Sequence, residues 1–129
     1  MRVLDSDHCV AILRGQLDLR LHVEPDEALA VTSVSVGELT HGAAKSARAE
    51  DNLARLDVLV SALAVLPFDE ETARRFGVLK AHLERHGTPL DDLDLEIAAT
   101  VLAADATLLT HNRSHFERVP RLSLEDWIG

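Results

Sequence analysis

The apolar positions of the chain fall into two patterns, and their alternation predicts a fold class. Short, nearly continuous apolar runs read as strands. They are Arg2-Val3-Leu4, the β-branched stretch Leu29 to Val34, Ala64-Val65-Leu66 closed by Pro67, and Ala106 to Thr110 ahead of polar residues. Leu122-Ser123-Leu124 is a shorter fifth candidate. Elsewhere apolar residues recur at the three- and four-residue spacing of a helix. Asp51 to Leu63 carries Leu53, Leu56, Val60 and Leu63, and Asp69 to His86 carries Ala73, Phe76, Leu79 and Leu83. Asp92 to Ala104 offers Ile97, Ala98, Val101 and Leu102, with Gly87 and Pro89 separating it from its predecessor. A further helix begins around Ser35. Buried strands alternating with helices predict an α/β sandwich around a mainly parallel central sheet of four to five strands flanked by helices.

Composition narrows this picture. At 129 residues, 47% hydrophobic and 27% charged, the chain suits one soluble domain over residues 1–129. Its aromatic residues are Phe68, Phe76, Phe116 and Trp127, so the core is aliphatic and base-stacking platforms are not expected. The single cysteine, Cys9, excludes an internal disulfide or a multi-cysteine metal site, and is expected to face the core. The longest uncharged apolar stretch, Val58 to Phe68, is too short for a bilayer, and Asp5 interrupts any signal-peptide pattern. A cytoplasmic location is expected. The net charge of −9 argues against loose nucleic-acid binding, but not against an enzyme that reaches phosphates through bound cations.

In open parallel sheets, ligands bind beyond the carboxyl ends of the strands. There the sequence places Asp5 after the first strand, Glu38 near the start of the helix after the second, Asp94 in the first turn of a helix, and Asn112 after the last long strand. Each also has a local role open to it. Asp5 suits a helix cap, Ser35 and Glu38 have capping-box spacing, the acids from Asp91 to Glu96 suit a helix dipole, and Asn112 suits a turn. Spacing alone leaves these alternatives open.

Five stretches in order resemble the PIN domain. Val3-Leu4-Asp5-Ser6-Asp7 looks like its opening Leu-Asp-Thr-Asn element, followed by a short helix ending at Leu13-Arg14-Gly15. Ser33 to Gly42, containing Glu38-Leu39-Thr40-His41-Gly42, resembles its Glu-Leu-x-x-Gly element. Asp94 to Ala99 matches Asp-x-x-Ile-Ala-Ala, Ala106 to Asn112 resembles the last active-site strand, and Phe116 to Trp127 is similar to the ending of VapC-type toxins. The resemblance implies a PIN-like three-layer sandwich and a metal-dependent endoribonuclease, the toxin of a VapBC (type II) toxin–antitoxin pair. It implies that Asp5, Glu38 and Asp94 form an acidic cluster with Asn112 at a fourth position. Asp5 and Asp94 would hold Mg2+ (or Mn2+ in its place), with Glu38 orienting the attacking water. Cleavage would leave a 5′-phosphate and a 3′-hydroxyl. Implied partners are a VapB-like antitoxin, an RNA substrate of the tRNA or rRNA kind, and a second copy in a homodimer, with Leu53, Leu56, Leu59 and Val60 as its apolar surface. The chain departs from the pattern at Asp7, where Asn is common, and at Asn112, where many members have Asp; a single metal is therefore expected.

Other features carry less. Ser6 and Thr110 have hydroxyls able to bond a carboxylate or phosphate, and Arg113, with Arg118 and Arg121, offers scarce positive charge near the last strand. His82 and His86 have zinc half-site spacing, but Glu84 sits at the wrong interval for a zinc peptidase. His8 and His41 are neighbours of site elements without a ligand role. A phosphoacceptor receiver domain has a similar length and an acidic pocket, yet the lysines, Lys45 and Lys80, both precede the last strands. A PIN nuclease in RNA or DNA processing, and a non-catalytic PIN-like binding module, are the remaining alternatives.

Overall fold

The computed structural model describes all residues, 1–129. Five strands form one parallel sheet in the order β3-β2-β1-β4-β5. They are β1 (Arg2–Leu4), β2 (Leu29–Thr32), β3 (Ala64–Leu66), β4 (Thr107–Leu109) and β5 (Ser123–Glu125). The helices are α1 (Ser6–Leu13), α2 (Ser33–Ala44), α3 (Ala49–Ser61), α4 (Glu70–Arg85), α5 (Asp92–Ala103) and the single-turn α6 (Arg113–Phe116), with a 3-10 turn at Leu19–Leu21. A receiver domain runs its strands in the order 2-1-3-4-5, so the topology excludes that alternative.

Strand periodicity divides the core. Successive side chains point to opposite faces, so Val3, Ala30 and Leu108 turn one way while Leu4, Val31 and Leu109 turn the other. The first set packs with Leu83 of α4, Leu95, Ile97, Ala98 and Val101 of α5, and Phe116 of α6. The second set packs with Cys9 and Ile12 of α1 and Leu59 of α3. Helices on both faces of the sheet give the expected three layers. All of these strand residues are fully buried, which explains the unbroken apolar runs.

Three local expectations are corrected. The run Leu29 to Val34 does not continue as a strand to its end. The Thr32 hydroxyl accepts the Ser35 N–H at 3.0 Å and caps α2, so the helix starts at Ser33 rather than near Ser35. Glu38 therefore lies inside α2, beyond the capping turn, and the Ser35–Glu38 capping box is not formed. The proposed dimer surface also changes, because Leu56 is only 3% exposed within its own chain and Leu59 packs on the second core cluster. Val58 is the outward residue of that helix, 71% exposed.

Two tethers close the molecule. Gly87 adopts φ +69° after α4, and the Thr88 N–H reaches back to the Leu83 carbonyl at 2.9 Å, which ends the helix. At the C-terminus Trp127 stacks on His22 with ring centres 4.9 Å apart, and the Arg2 guanidinium lies 5.5 Å above the indole. No helix is long and apolar enough to cross a membrane.

Candidate active site

Parallel pairing delivers β1, β2 and β4 to the same edge, where the chain turns from each strand into polar residues. The Asp5 N–H extends the ladder by donating to the Leu109 carbonyl at 2.9 Å, and the Thr110 N–H does the same to the Glu125 carbonyl at 2.9 Å. Asp5 and Thr110 are thus fixed by backbone before their side chains act. The Asp5 carboxylate accepts the Ser6 N–H at 2.8 Å, as the helix cap foreseen, and the Thr110 hydroxyl at 2.8 Å on its other oxygen. Thr110 is wholly buried, and its oxygen accepts the Asn112 N–H at 3.0 Å. Thr110→Val keeps the shape but removes both roles. It is expected to cost about 1–3 kcal/mol, read as a lower urea midpoint; an unchanged midpoint would show that neither bond holds this edge together.

The remaining acids separate by environment. Asp91 is the one that caps α5, accepting the Asp94 N–H at 2.9 Å, and Asp92 faces Lys80 at 2.9 Å on the surface. Asp94 is different: its side chain is 21% exposed and its oxygen lies 3.5 Å from His115 Nδ1. Glu38 is half-buried and accepts the Ser6 hydroxyl at 3.4 Å. Asn112 bonds no carboxylate; its side-chain amide donates to His115 Nδ1 at 2.7 Å, which places that ring 3.5 Å from the Asp94 oxygen. Arg113 is exposed on the first residue of α6.

Electrostatics ties the carboxylates together. Burial, then the charge of Asp7, pushes Asp5 up to about 6, with Asp94 adding to the rise. Burial, then Asp91, pushes Asp94 up to about 6. Glu38 is raised by burial and by the charge of Asp5. Asp7 runs the other way: burial opposes its charge, but bonds from the His8 ring and the His111 N–H hold its carboxyl below the usual range. No group of three His, Cys, Asp or Glu side chains stands in position to hold an ion. The acids share one field without closing on one point. The donor set nevertheless suits magnesium, which prefers oxygen, keeps several waters and needs only one or two protein carboxylates. Asp5 and Asp94 are the pair whose charge a dication would relieve.

Sequence reasoning left His8 as a neighbour of the site without a role, and gave none to His111 or His115. His8 is fully buried and bonds both Asp7 and the Trp127 backbone, and His111 pairs with Asp126 at 2.9 Å. Adjacency of Asp7 and His8, and the three-residue interval from Asn112 to His115, were the available signals.

A groove of about 440 Å³ opens beside Ser6 and Glu38. Val10, Leu13, Leu39 and Leu56 form its apolar wall, and Arg14 and Arg55 its cations.

Residues 2–122 match the PIN domain family model. The chain belongs to the PIN domain family. Within it, this PIN domain is similar to ribonuclease VapC2 of Rickettsia felis, with 32% identity covering 97% of this chain and 96% of the relative. It is 31% identical to the tRNA(fMet)-specific endonuclease VapC of Salmonella typhimurium, with the same coverage of 97% and 96%. Among solved structures it is similar to VapBC2 from Rickettsia felis bound to a promoter DNA fragment. That match has a TM-score of 0.89 at 32% identity and covers 98% of both chains. These identities over nearly whole chains make it a VapC-type member.

Proposed function

We propose that this PIN domain is the toxin of a type II toxin–antitoxin pair, a divalent-metal-dependent endoribonuclease that cuts RNA by hydrolysis. The observation that carries the reading is the edge where Asp5, Glu38 and Asp94 share one field, Asp5 raising Glu38 and Asp94 raising Asp5, in a chain matched end to end by VapC ribonucleases.

Asp5 and Asp94 would hold Mg2+, with Mn2+ as a substitute, and the bound ion would supply charge stabilisation at the scissile phosphate. Thr110 keeps one Asp5 oxygen turned and bonded. Glu38, steadied by the Ser6 hydroxyl, orients a water and accepts its proton as the water oxygen attacks phosphorus. Its raised affinity for protons suits that task. The bond from phosphorus to the 3′ oxygen breaks and that oxygen takes a proton from solvent water, leaving a 5′-phosphate and a 3′-hydroxyl. Asn112 is neutral, so it contributes little to holding a second ion; its amide N–H holds the His115 ring beside Asp94. Ser6 and Arg113 line the approach of the phosphate chain, whereas Thr110, buried beneath Asp5, does not reach it.

The substrate is a structured RNA of the tRNA or rRNA kind, read by shape and splayed loops. The partner is a VapB-like antitoxin. An amphipathic segment fits the apolar wall of the groove, and a basic side chain from it would meet Glu38 at the groove's end. The protein works in the cytoplasm, as a homodimer or bound to its antitoxin.

The test is cleavage of total RNA by the purified protein, with and without magnesium. Discrete fragments that disappear with EDTA are expected. Magnesium at a hundredfold above its dissociation constant should also stabilise the fold by about 2.7 kcal/mol, seen as a higher melting temperature. A folded protein that neither cuts RNA nor shifts its melting temperature with any divalent ion would overturn the reading in favour of a binding module.

A further inference from the structure

We propose that His8 is a positioning residue of the site: it occupies Asp7, so that the one hydroxyl proton of Thr110 goes to Asp5. The tautomer of the ring follows from its partners. The Trp127 backbone N–H lies 3.0 Å from His8 Nε2, and an N–H can only donate, so Nε2 is the acceptor. The ring proton therefore sits on Nδ1, 2.7 Å from an Asp7 oxygen, and is donated to it. His8 is 0% exposed, so water does not replace either partner.

The consequence appears one bond further on. The Thr110 hydroxyl oxygen lies 2.8 Å from Asp5 and 3.3 Å from Asp7, two carboxylates facing a single proton. The Asn112 N–H also meets this oxygen, but it uses a lone pair and leaves the proton free. Asp7 is supplied by His8 on one oxygen and by the His111 N–H at 2.8 Å on the other, which settles the competition for Asp5. Without His8, a half-buried carboxylate lacks a donor and draws Thr110 away from Asp5. The C-terminal segment takes part, because Trp127 fixes the ring while Asp126 holds His111 at 2.9 Å and accepts the Ile128 N–H at 2.9 Å.

With Asp5 read as a metal-holding residue, the effect falls on turnover and not on RNA capture. RNA cleavage is compared for the wild type, His8→Leu, Asp7→Asn and the double variant, with melting curves to show that each is folded. His8→Leu is expected to lower kcat about tenfold with KM unchanged. The double variant is expected to regain most of that loss, because a neutral residue at position 7 competes weakly for Thr110. A double variant no better than His8→Leu would overturn the assignment. So would nitrogen-15 NMR of the wild-type protein showing the His8 proton on Nε2, or both nitrogens protonated. That spectrum decides alone should His8→Leu fail to fold. A wild type that cuts no RNA would count against the nuclease reading, whereas the ring tautomer bears on His8 alone.

Discussion

Asp5→Asn is expected to abolish RNA cleavage while making the metal-free chain more stable at neutral pH. The loss of activity, at least about a hundredfold, follows from removing a carboxylate that would hold the ion and its field. The gain in stability follows from burial. Asp5 is 8% exposed, and its carboxyl moves from 3.8 to about 6 on folding. A raised carboxylate binds protons more tightly in the folded state. Stability therefore falls as the pH rises from about 4 through about 6, and the full penalty stands above that window. At roughly 1.4 kcal/mol per unit the penalty is about 3 kcal/mol, and asparagine removes it. The amide matches the Ser6 and Thr110 donors less well, which returns about 1 kcal/mol. A net gain of about 2 kcal/mol at pH 7 in EDTA is expected by urea denaturation, shrinking to nothing or reversing near pH 4. A variant less stable than the wild type by the same amount at both pH values would refute this account.

Phe116→Ala is expected to have the largest effect on folding. Phe116 is the bulkiest fully buried side chain and lies in the core cluster with Leu95, Leu108 and Val119. Truncating such a ring costs about 3–5 kcal/mol, against a total stability of about 5–15 kcal/mol. The ring is also the anchor of α6, which at four residues is far too short to persist alone. Releasing α6 frees Asn112 and His115 from the neighbourhood of Asp94, so activity per folded molecule should fall as well. Phe116→Leu, which restores most of the apolar volume, should recover both. Equal activity per folded molecule in Phe116→Ala would show that α6 does not hold the site.

The layers of the fold were legible because burial on both faces leaves β1, β2 and β4 as plain aliphatic runs. The boundary between β2 and α2 was not, since Val34 and Val36 favour a strand by side-chain shape while the Thr32 hydroxyl ends it by capping. Asp91-x-x-Asp94 and Ser35-x-x-Glu38 have equal spacing, yet only the first spans a helix start. Position at the carboxyl edge drew attention to Asp5 and Asp94 but left their local roles open, and it was the PIN resemblance that singled them out together with Glu38, which lies inside α2. The work of His8 and His115 was not legible, because their partners Trp127 and Asp94 are distant in sequence and are chosen by the way the chain closes. Of the residues read as a dimer surface, Leu56 and Leu59 are taken up by their own chain while Leu53 and Val60 stay half-buried, because an amphipathic helix shows which side is apolar and not what covers it.

The placement of β1 in the middle of the sheet bears on when the site comes into being. The central strand pairs with a partner far along the chain, Arg2, Val3 and Leu4 with Thr107, Leu108 and Leu109. Asp5 consequently has no Thr110 beside it until β1 and β4 have paired. A site built this way exists only in the closed sheet, and a partly folded chain carries the carboxylate without the bond that orients it.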